Sequence, residues 1–366
     1  MTSRRPALRG IVMTRNRTFC LSLVFFLLAA VFASSVSFPA PADGANGESA
    51  WENPLRVHFI DVGQGDCSLI QCPDGSTILI DGGQIWTYPF VIEYLRKAGV
   101  KKIDLLAATH PHSDHYGGLI PVLKAFPVAA IIDPGKDHTS DLYQRYLETV
   151  KGLAGTDFKL ARAGERYDFG GAEILVVHPS SRLQSHPNNC SIVLKLQYGA
   201  TGFLFTGDIE REGEMEAMSR GFNLRSAVLK VAHHGSRTSS SPAFLSRVSP
   251  RYAVIPAAEE NSYGHPHPEV TRRLNMRGTE IYQTGVRGTV LFLSDGKDLR
   301  VEFPGRAVYP EYGIPEEQAS RIIANRETLI YYEPRSPYAL QIPPGDRIFF
   351  DTAVAAESAG YRLNWR

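Results

Sequence analysis

The largely apolar run Ile103-Asp104-Leu105-Leu106-Ala107-Ala108-Thr109 delivers the chain into His110-Pro111-His112-Ser113-Asp114-His115. A short apolar run of this kind reads as a buried strand, so the cluster sits at that strand's C-terminal mouth. There a single turn aims three imidazoles and a carboxylate at one point. Nitrogen and oxygen donors of these types suit Zn2+ or Mn2+. A lone histidine would be an ordinary satisfied polar residue, but buried charge and imidazole at this density need a compensating cation.

Further strand ends bring donors of the same kind. Phe203-Leu204-Phe205-Thr206-Gly207-Asp208 is an apolar run closing in a Gly-Asp turn, where a carboxylate can bridge two cations. Val228-Leu229-Lys230-Val231-Ala232-His233-His234 delivers a histidine to the same edge. Leu79-Ile80-Asp81-Gly82-Gly83 ends in a carboxylate placed to orient a ligating imidazole from behind.

Around these ends strand and helix patterns alternate, which gives an α/β class. Strands are expected at residues 56–62, 67–71, 77–81, 103–109, 128–132, 174–177, 191–197, 202–206, 227–231 and 252–255, and helices at 88–98, 211–220, 242–248 and 268–276. Cys67 and Cys72 fall in one expected strand on opposite faces, roughly 16 Å apart along it, so they do not pair with each other. A bridge from Cys190 to either stays open beside the reading of three free thiols.

In order and residue type these segments resemble the metal motifs of the metallo-β-lactamase superfamily, over about residues 57–290. The resemblance implies an αββα four-layer sandwich with two divalent metal ions, Zn2+ or Mn2+. Carried over residue by residue, it gives His110 and His112 to the first ion and Asp114 and His115 to the second, with Asp208 bridging them. The second ion's remaining histidine is His233 or His234, and the spacing does not say which.

More narrowly, Phe59-Ile60-Asp61-Val62-Gly63-Gln64-Gly65-Asp66, the stretch from Ala232 to Ser241, and Tyr263-Gly264-His265-Pro266-His267-Pro268-Glu269 are similar to the extracellular hydrolase domain of ComEC-type DNA-uptake proteins. The superfamily commonly supplies a third histidine to the first ion just before the strand that here begins near Ser191. This chain instead reads His186-Pro187-Asn188-Asn189-Cys190-Ser191, a turn that resembles the DNA-uptake branch. His186 is the candidate extra ligand, ahead of His178, against the alternative of an ordinary loop histidine.

The resemblance further implies that the ions activate a water and offset charge on the substrate. Asp66 or a histidine of the His265-Pro266-His267 turn then moves the proton. Ser236 and Arg237 offer a hydroxyl and a guanidinium to a phosphate, although the serine run before Pro242 equally suits a helix N-cap. Asn188, Asn189 and His267 join Asp81 as residues behind the ligands or against the substrate. Gly63-Gln64-Gly65 also reads as a plain tight turn.

An apolar fraction of 43% is that of an ordinary soluble protein, and 366 residues exceed one average domain. Arg4, Arg5, Arg9, Arg15 and Arg17, the apolar run from Phe19 to Phe32 and the small residues Ala40-Pro41-Ala42 follow the order of a secretory signal peptide. A retained membrane anchor is the alternative, though the run falls short of the ~20 residues a spanning helix needs. Cleavage after residue 42 leaves 34 basic against 38 acidic residues, so no global basic field advertises a polyanion partner. The expected division is a signal peptide at 1–42, a linker at 43–54, the hydrolase domain at 55–305 and a small appendage at 306–366. That appendage resembles Ada-type metal-binding domains without their cysteines, with Ser336 standing where the first is expected. Its aromatic residues are expected to pack a small core.

The expected function is a secreted metal-dependent phosphodiesterase or nuclease acting on DNA, membrane-tethered if the leader is kept, with no protein partner. Hydrolysis of another phosphoester, ester or amide is the enzymatic alternative, for example of choline-phosphate esters in cell-wall polymers. A non-catalytic metal-bearing DNA-capture module is the third reading.

Overall fold

The computed structural model describes residues 49–306, 313–334, 336 and 338–364, so the leader expected over 1–42 and the start of the linker lie outside the described residues. Strands β1 (Leu55–Phe59), β2 (Ser68–Gln71), β3 (Thr77–Ile80), β4 (Ile103–Ala107), β5 (Val128–Asp133) and β6 (Asp157–Leu160) run side by side in chain order in the first sheet. The second sheet comprises β7 (Arg166–Phe169), β8 (Ala172–His178), β9 (Val193–Tyr198), β10 (Thr201–Phe205), β11 (Val228–Lys230), β12 (Tyr252–Ile255) and β13 (Glu280–Gln283). The chain then returns through β14 (Thr289–Ser294) and β15 (Leu299–Gly305) to the β1 edge of the first sheet. Pro304 falls at the register shift in the pairing of β14 with the edge strand β15, a place where proline is tolerated.

Successive side chains of a strand point to opposite faces, and the sequence uses this to build three apolar layers. Phe203 and Phe205 of β10 meet Phe59, Ile78, Ile80 and Phe292 of the first sheet between the sheets. Leu204, between them in sequence, packs outward with Phe244, Leu245, Val270 and Leu274. These belong to helices α5 (Pro242–Val248) and α6 (Pro268–Asn275), which flank the second sheet beside α4 (Arg211–Ser219). The outer face of the first sheet is covered by α1 (Tyr88–Lys97), α2 (Leu119–Ala125) and α3 (Asp141–Lys151). The result is the αββα four-layer sandwich that the sequence resemblance implies.

The strand directions place the site. β3 and β4 are parallel, and so are β10, β11 and β12. Their C-terminal ends therefore open along one edge, where Asp81, His110, Asp208 and His234 follow. The β1–β2 loop shares this edge because Phe59 pairs with Ser68 and Ser68 with Ile80.

Several expectations shift in detail. The strand expected over 56–62 stops at Phe59, because Ile60 N donates to Cys67 O and Asp61 N to Thr289 Oγ1, closing the loop that carries Asp66. Helices α2 and α3 and strands β6, β7, β13, β14 and β15 were not expected. Cys67, Cys72 and Cys190 are buried free thiols, and no helix among the described residues is long and apolar enough to cross a membrane.

A third sheet follows, with β16 (Ile322–Asn325), β17 (Ile330–Tyr332), β18 (Arg347–Phe350) and β19 (Arg362–Leu363) ordered β18-β16-β17-β19. Tyr331 and Tyr361 pack on one face, Tyr332 and Phe349 on the other. This part docks on the helical layer: Tyr88 Oη donates to Asp346 Oδ2 at 2.7 Å, and the Arg145 guanidinium donates to Glu327 O.

His58 of β1 is buried with Nδ1 2.8 Å from Tyr94 Oη and Nε2 3.2 Å from Gln71 Oε1. Burial pushes its pKa down to about 4. The unfolded chain takes up a proton here below about pH 6.5 while the folded ring stays neutral, so stability falls as pH drops from about 6.5 toward 4, by roughly 3 kcal/mol in full. His58→Gln is expected to flatten that slope in urea titrations at pH 4.5 and 7; equal slopes in both proteins contradict the assignment.

Candidate metal centre

The donors come from the strand-end turns, and several of these turns are strained. Asp81, His233 and His234 all have left-handed backbones, with φ of 58°, 53° and 53°. Such conformations cost of order 1–3 kcal/mol each and persist where the surroundings over-determine them. His112 is the extended cap of a single helical turn, Ser113–Tyr116, which carries Asp114 and His115. Two close approaches require glycine. A Cβ on Gly65 would lie 2.5 Å from Asp114 O, and one on Gly118 only 2.0 Å from Gly82 O. The first lets the Asp66 loop press on the histidine turn, with Asp66 N donating to Asp114 O at 3.0 Å.

Asp208 is the hub. Its Oδ2 lies 3.2 Å from His115 Nε2, 3.4 Å from His234 Nε2 and 3.9 Å from His110 Nε2. His234 Nε2 is also 3.1 Å from Asp114 Oδ2, and His110 Nε2 is 3.1 Å from His112 Nδ1. Behind the hub, Asp81 Oδ2 accepts from His115 Nδ1 at 2.8 Å, while its Oδ1 accepts from Thr109 N at 2.8 Å. His234 Nδ1 donates to Pro256 O at 2.8 Å.

Those two backing contacts put the lone pair of each neutral ring on Nε2, facing Asp208. His115 Nε2 is buried without a hydrogen bond, and so is Asp66 Oδ1. Ligand atoms of Asp66, His115, Asp208 and His234 all lie within 4.8 Å of one another. Lone pairs of imidazole and carboxylate converging in a buried space are the donor set of a divalent cation, so the residues present fit one. Electrostatics agree. Burial works to raise the Asp208 carboxyl, yet His115, His234 and Lys230 together hold it well below its ordinary range. Burial works to lower His115, yet Asp208, Asp66 and Asp81 push it well above. The carboxylates thus create a potential strong enough to draw protons onto buried imidazoles.

The structure sorts the other candidates. His234 is buried among the carboxylates, whereas His233 is partly exposed with Nδ1 3.3 Å from Thr238 Oγ1 and 3.4 Å from Glu210 Oε1. His186 is exposed. His178 is buried, its Nδ1 donating to Ser191 O at 2.8 Å and its Nε2 3.5 Å from Glu216 Oε2. Asn189 Oδ1 caps the start of α4, accepting from Glu210 N and Gly213 N at 2.9 and 3.1 Å. Asn188 Nδ2 donates to Glu210 Oε1 at 3.2 Å. Ser236 Oγ lies 3.0 Å from Thr238 Oγ1, and Arg237 N donates to His267 Nδ1 at 3.1 Å. His265 reaches the cavity above the cluster and stacks under the exposed ring of Tyr263 at 5.6 Å between centroids. That cavity holds about 410 Å3 and includes His112, Asp114, Asp208, His138 and His234 in its walls.

Two features escaped the sequence reading. Lys230 is buried, with Nζ donating to Gly207 O at 2.8 Å, lying 3.4 Å from Asp208 Oδ1 and pairing with Asp66 Oδ2. A lysine inside an otherwise apolar strand run was the available signal. Glu214 of α4 is buried and accepts from Ser240 N and Ser241 N, tying down the loop that follows His234. Nothing in the local sequence announces that contact.

The profile described as the metallo-beta-lactamase superfamily matches residues 60–258. ComE operon protein 3 of Bacillus subtilis is 30% identical over 254 residues, covering 65% of this chain and 33% of that protein. Competence protein ComA of Neisseria gonorrhoeae is 31% identical over 246 residues, covering 67% and 33%. Recombination protein 2 of Haemophilus influenzae is 30% identical over 240 residues, covering 64% and 28%. The chain spans about a third of the length of these relatives.

Lys230 and a divalent cation draw on the same carboxylates, so each weakens the other's hold. Removing a partner from a buried pair costs about 3 kcal/mol, so chelator-treated Lys230→Met is expected to melt below the wild type. Without the ammonium, divalent-cation binding should tighten by about tenfold or more, read by calorimetric titration. Equal affinity in the two proteins would place Lys230 outside the field of the centre.

Proposed function

Because the chain belongs to the metallo-β-lactamase superfamily, and is a metal-dependent hydrolase of that fold related to competence proteins, we propose that it cleaves phosphodiesters, with DNA as the leading substrate. The observation that carries this reading is the convergence of His110, His115 and His234 on Asp208, with Asp114 against His234, at an open cavity of about 410 Å3. Similarity to the competence proteins supports a nucleic-acid phosphodiester over other esters. The basic-then-apolar order of residues 1–42 supports an extracytoplasmic location.

Asp114, His115, Asp208 and His234 would hold one divalent cation, since Asp66 of the converging set is already paired with Lys230, with His110, His112 and Asp208 offering donors to a second. Divalent cations in such a centre supply Lewis acidity, which activates water and offsets charge growing on a phosphate oxygen. The chain's own residues prepare that chemistry. Asp81 fixes the ring orientation and tautomer of His115 through its 2.8 Å contact. Lys230 offsets part of the negative charge of Asp66 and Asp208.

Asp66 and His265, the two candidates for moving a proton, differ in setting. Lys230, His115 and His234 overcome burial and hold the Asp66 carboxyl below its ordinary range, which keeps it ionised. His265 is pushed down to about 4, first by burial and then by the neighbouring imidazoles. Its ring is neutral at pH 7, and its buried Nδ1 has no hydrogen-bond partner. Both groups can accept a proton in these forms, His265 as a weak base because the neighbouring imidazoles oppose its charging.

The test incubates the protein, loaded separately with Mn2+ and Zn2+, with single-stranded DNA, duplex DNA and bis-nitrophenyl phosphate. At least one is expected to be cleaved. Asp81→Asn should lose about 10- to 100-fold in rate, and Asp208→Ala still more. No cleavage of any of the three by metal-loaded protein would sink the phosphodiesterase reading.

A further inference from the structure

The cavity over the metal centre has a wall that the mechanism above does not use, formed by Tyr116 and by His138 and Ser140 from the loop after β5. The His138 ring is fixed in place. Its faces and edges meet His112 and Tyr143 at 6.2 and 6.1 Å between centroids. Its backbone carbonyl accepts from Gln144 Nε2 at 2.9 Å, tying the loop to α3.

The ring's hydrogen bonds also fix its tautomer. Ser140 N lies 3.3 Å from His138 Nδ1 and donates to it. A backbone N–H can only donate, so Nδ1 is an acceptor and the neutral ring carries its proton on Nε2. Ser140 Oγ, 3.0 Å from the same Nδ1, is itself held by Tyr116 Oη at 3.0 Å and by Tyr143 N at 3.3 Å. Among the described residues Nε2 has no hydrogen-bond partner. A ring with an N–H donor that has no acceptor therefore lines a cavity shared with the carboxylates of Asp114 and Asp208, the imidazoles of His112, His233, His234 and His265, and the side chains of Gln64 and Ser113. An anionic group entering this space is repelled by those carboxylates and needs donors on the remaining sides.

We propose that His138 is a substrate-binding residue whose Nε2–H donates to a phosphate oxygen of the group held in this cavity. The assignment rests on the phosphodiesterase reading and adds to it a contact outside the metal-ligand set. It also gives the Ser140–Tyr116 pair a role, that of holding the donor in one tautomer and one direction.

Ring-nitrogen NMR of the metal-loaded full chain reads the tautomer directly: the His138 proton is expected on Nε2, with that resonance shifting when inorganic phosphate is added. His138→Ala is expected to weaken phosphate binding about tenfold, whereas His138→Gln, which keeps an N–H donor, should stay within about threefold of the wild type. KM for bis-nitrophenyl phosphate should follow the same order, with cation content and circular dichroism unchanged. A proton on Nδ1, unchanged phosphate binding in His138→Ala, or a glutamine variant as weak as the alanine one overturns the inference. If phosphate binds through His138 but no phosphodiester is cleaved, the phosphodiesterase reading fails and the anion-holding role stands.

Discussion

Four carboxylates, Asp66, Asp81, Asp114 and Asp208, gather at one sheet edge around His115, His234 and Lys230. Taking that much negative charge out of water costs several kcal/mol per ion unless it is paired and hydrogen-bonded. Each element of the site reads as a partial answer to that cost. Lys230 offsets two of the carboxylates, His115 and His234 are drawn toward their charged forms, and Asp81 is satisfied by Thr109 and His115. His115 Nε2 and Asp66 Oδ1 face opposite charge at 3.2 and 3.4 Å but make no hydrogen bond, which marks where the compensation within the chain stops. A divalent cation held by these residues would supply what is missing.

The sandwich exists in a form that serves this gathering. Parallel pairing of β3 with β4 and of β10 with β11 and β12 brings the donor turns to one edge. The interlocked phenylalanines between the sheets, including Phe59, Phe203, Phe205 and Phe292, supply the rigid base on which strained turns can be held. The left-handed backbones at Asp81, His233 and His234 are local costs set against that burial.

Much of this was legible in the sequence because it is local. A strand ending in a dense histidine and aspartate turn needs no tertiary information to be read as a donor set. Asp81 could be placed behind an imidazole because it ends a strand of the same kind. The choice between His233 and His234 was not legible: both share a turn and a residue type, and only the packing of β11 against β12 buries one and leaves the other toward Thr238. Lys230 was missed because its partners, Asp66 and Asp208, are distant in sequence. His138 was missed because no motif surrounds it and its role depends on a backbone N–H two residues on. Among the elements, β6 escaped because the Asp-Phe-Lys-Leu alternation of Asp157–Leu160 is only four residues long and lies wholly exposed on an edge. Helix α2 escaped because it is seven residues long with a proline inside it, and α3 because only Tyr143 and Tyr146 of its eleven residues are fully buried.

The most direct test is metal content. The account predicts that the full chain, stripped with chelator and resupplied with Mn2+ or Zn2+, retains a stoichiometric divalent cation through gel filtration, and that Asp208→Ala does not. A wild-type protein that retains no divalent cation, or an Asp208→Ala protein that retains as much as wild type, would contradict it.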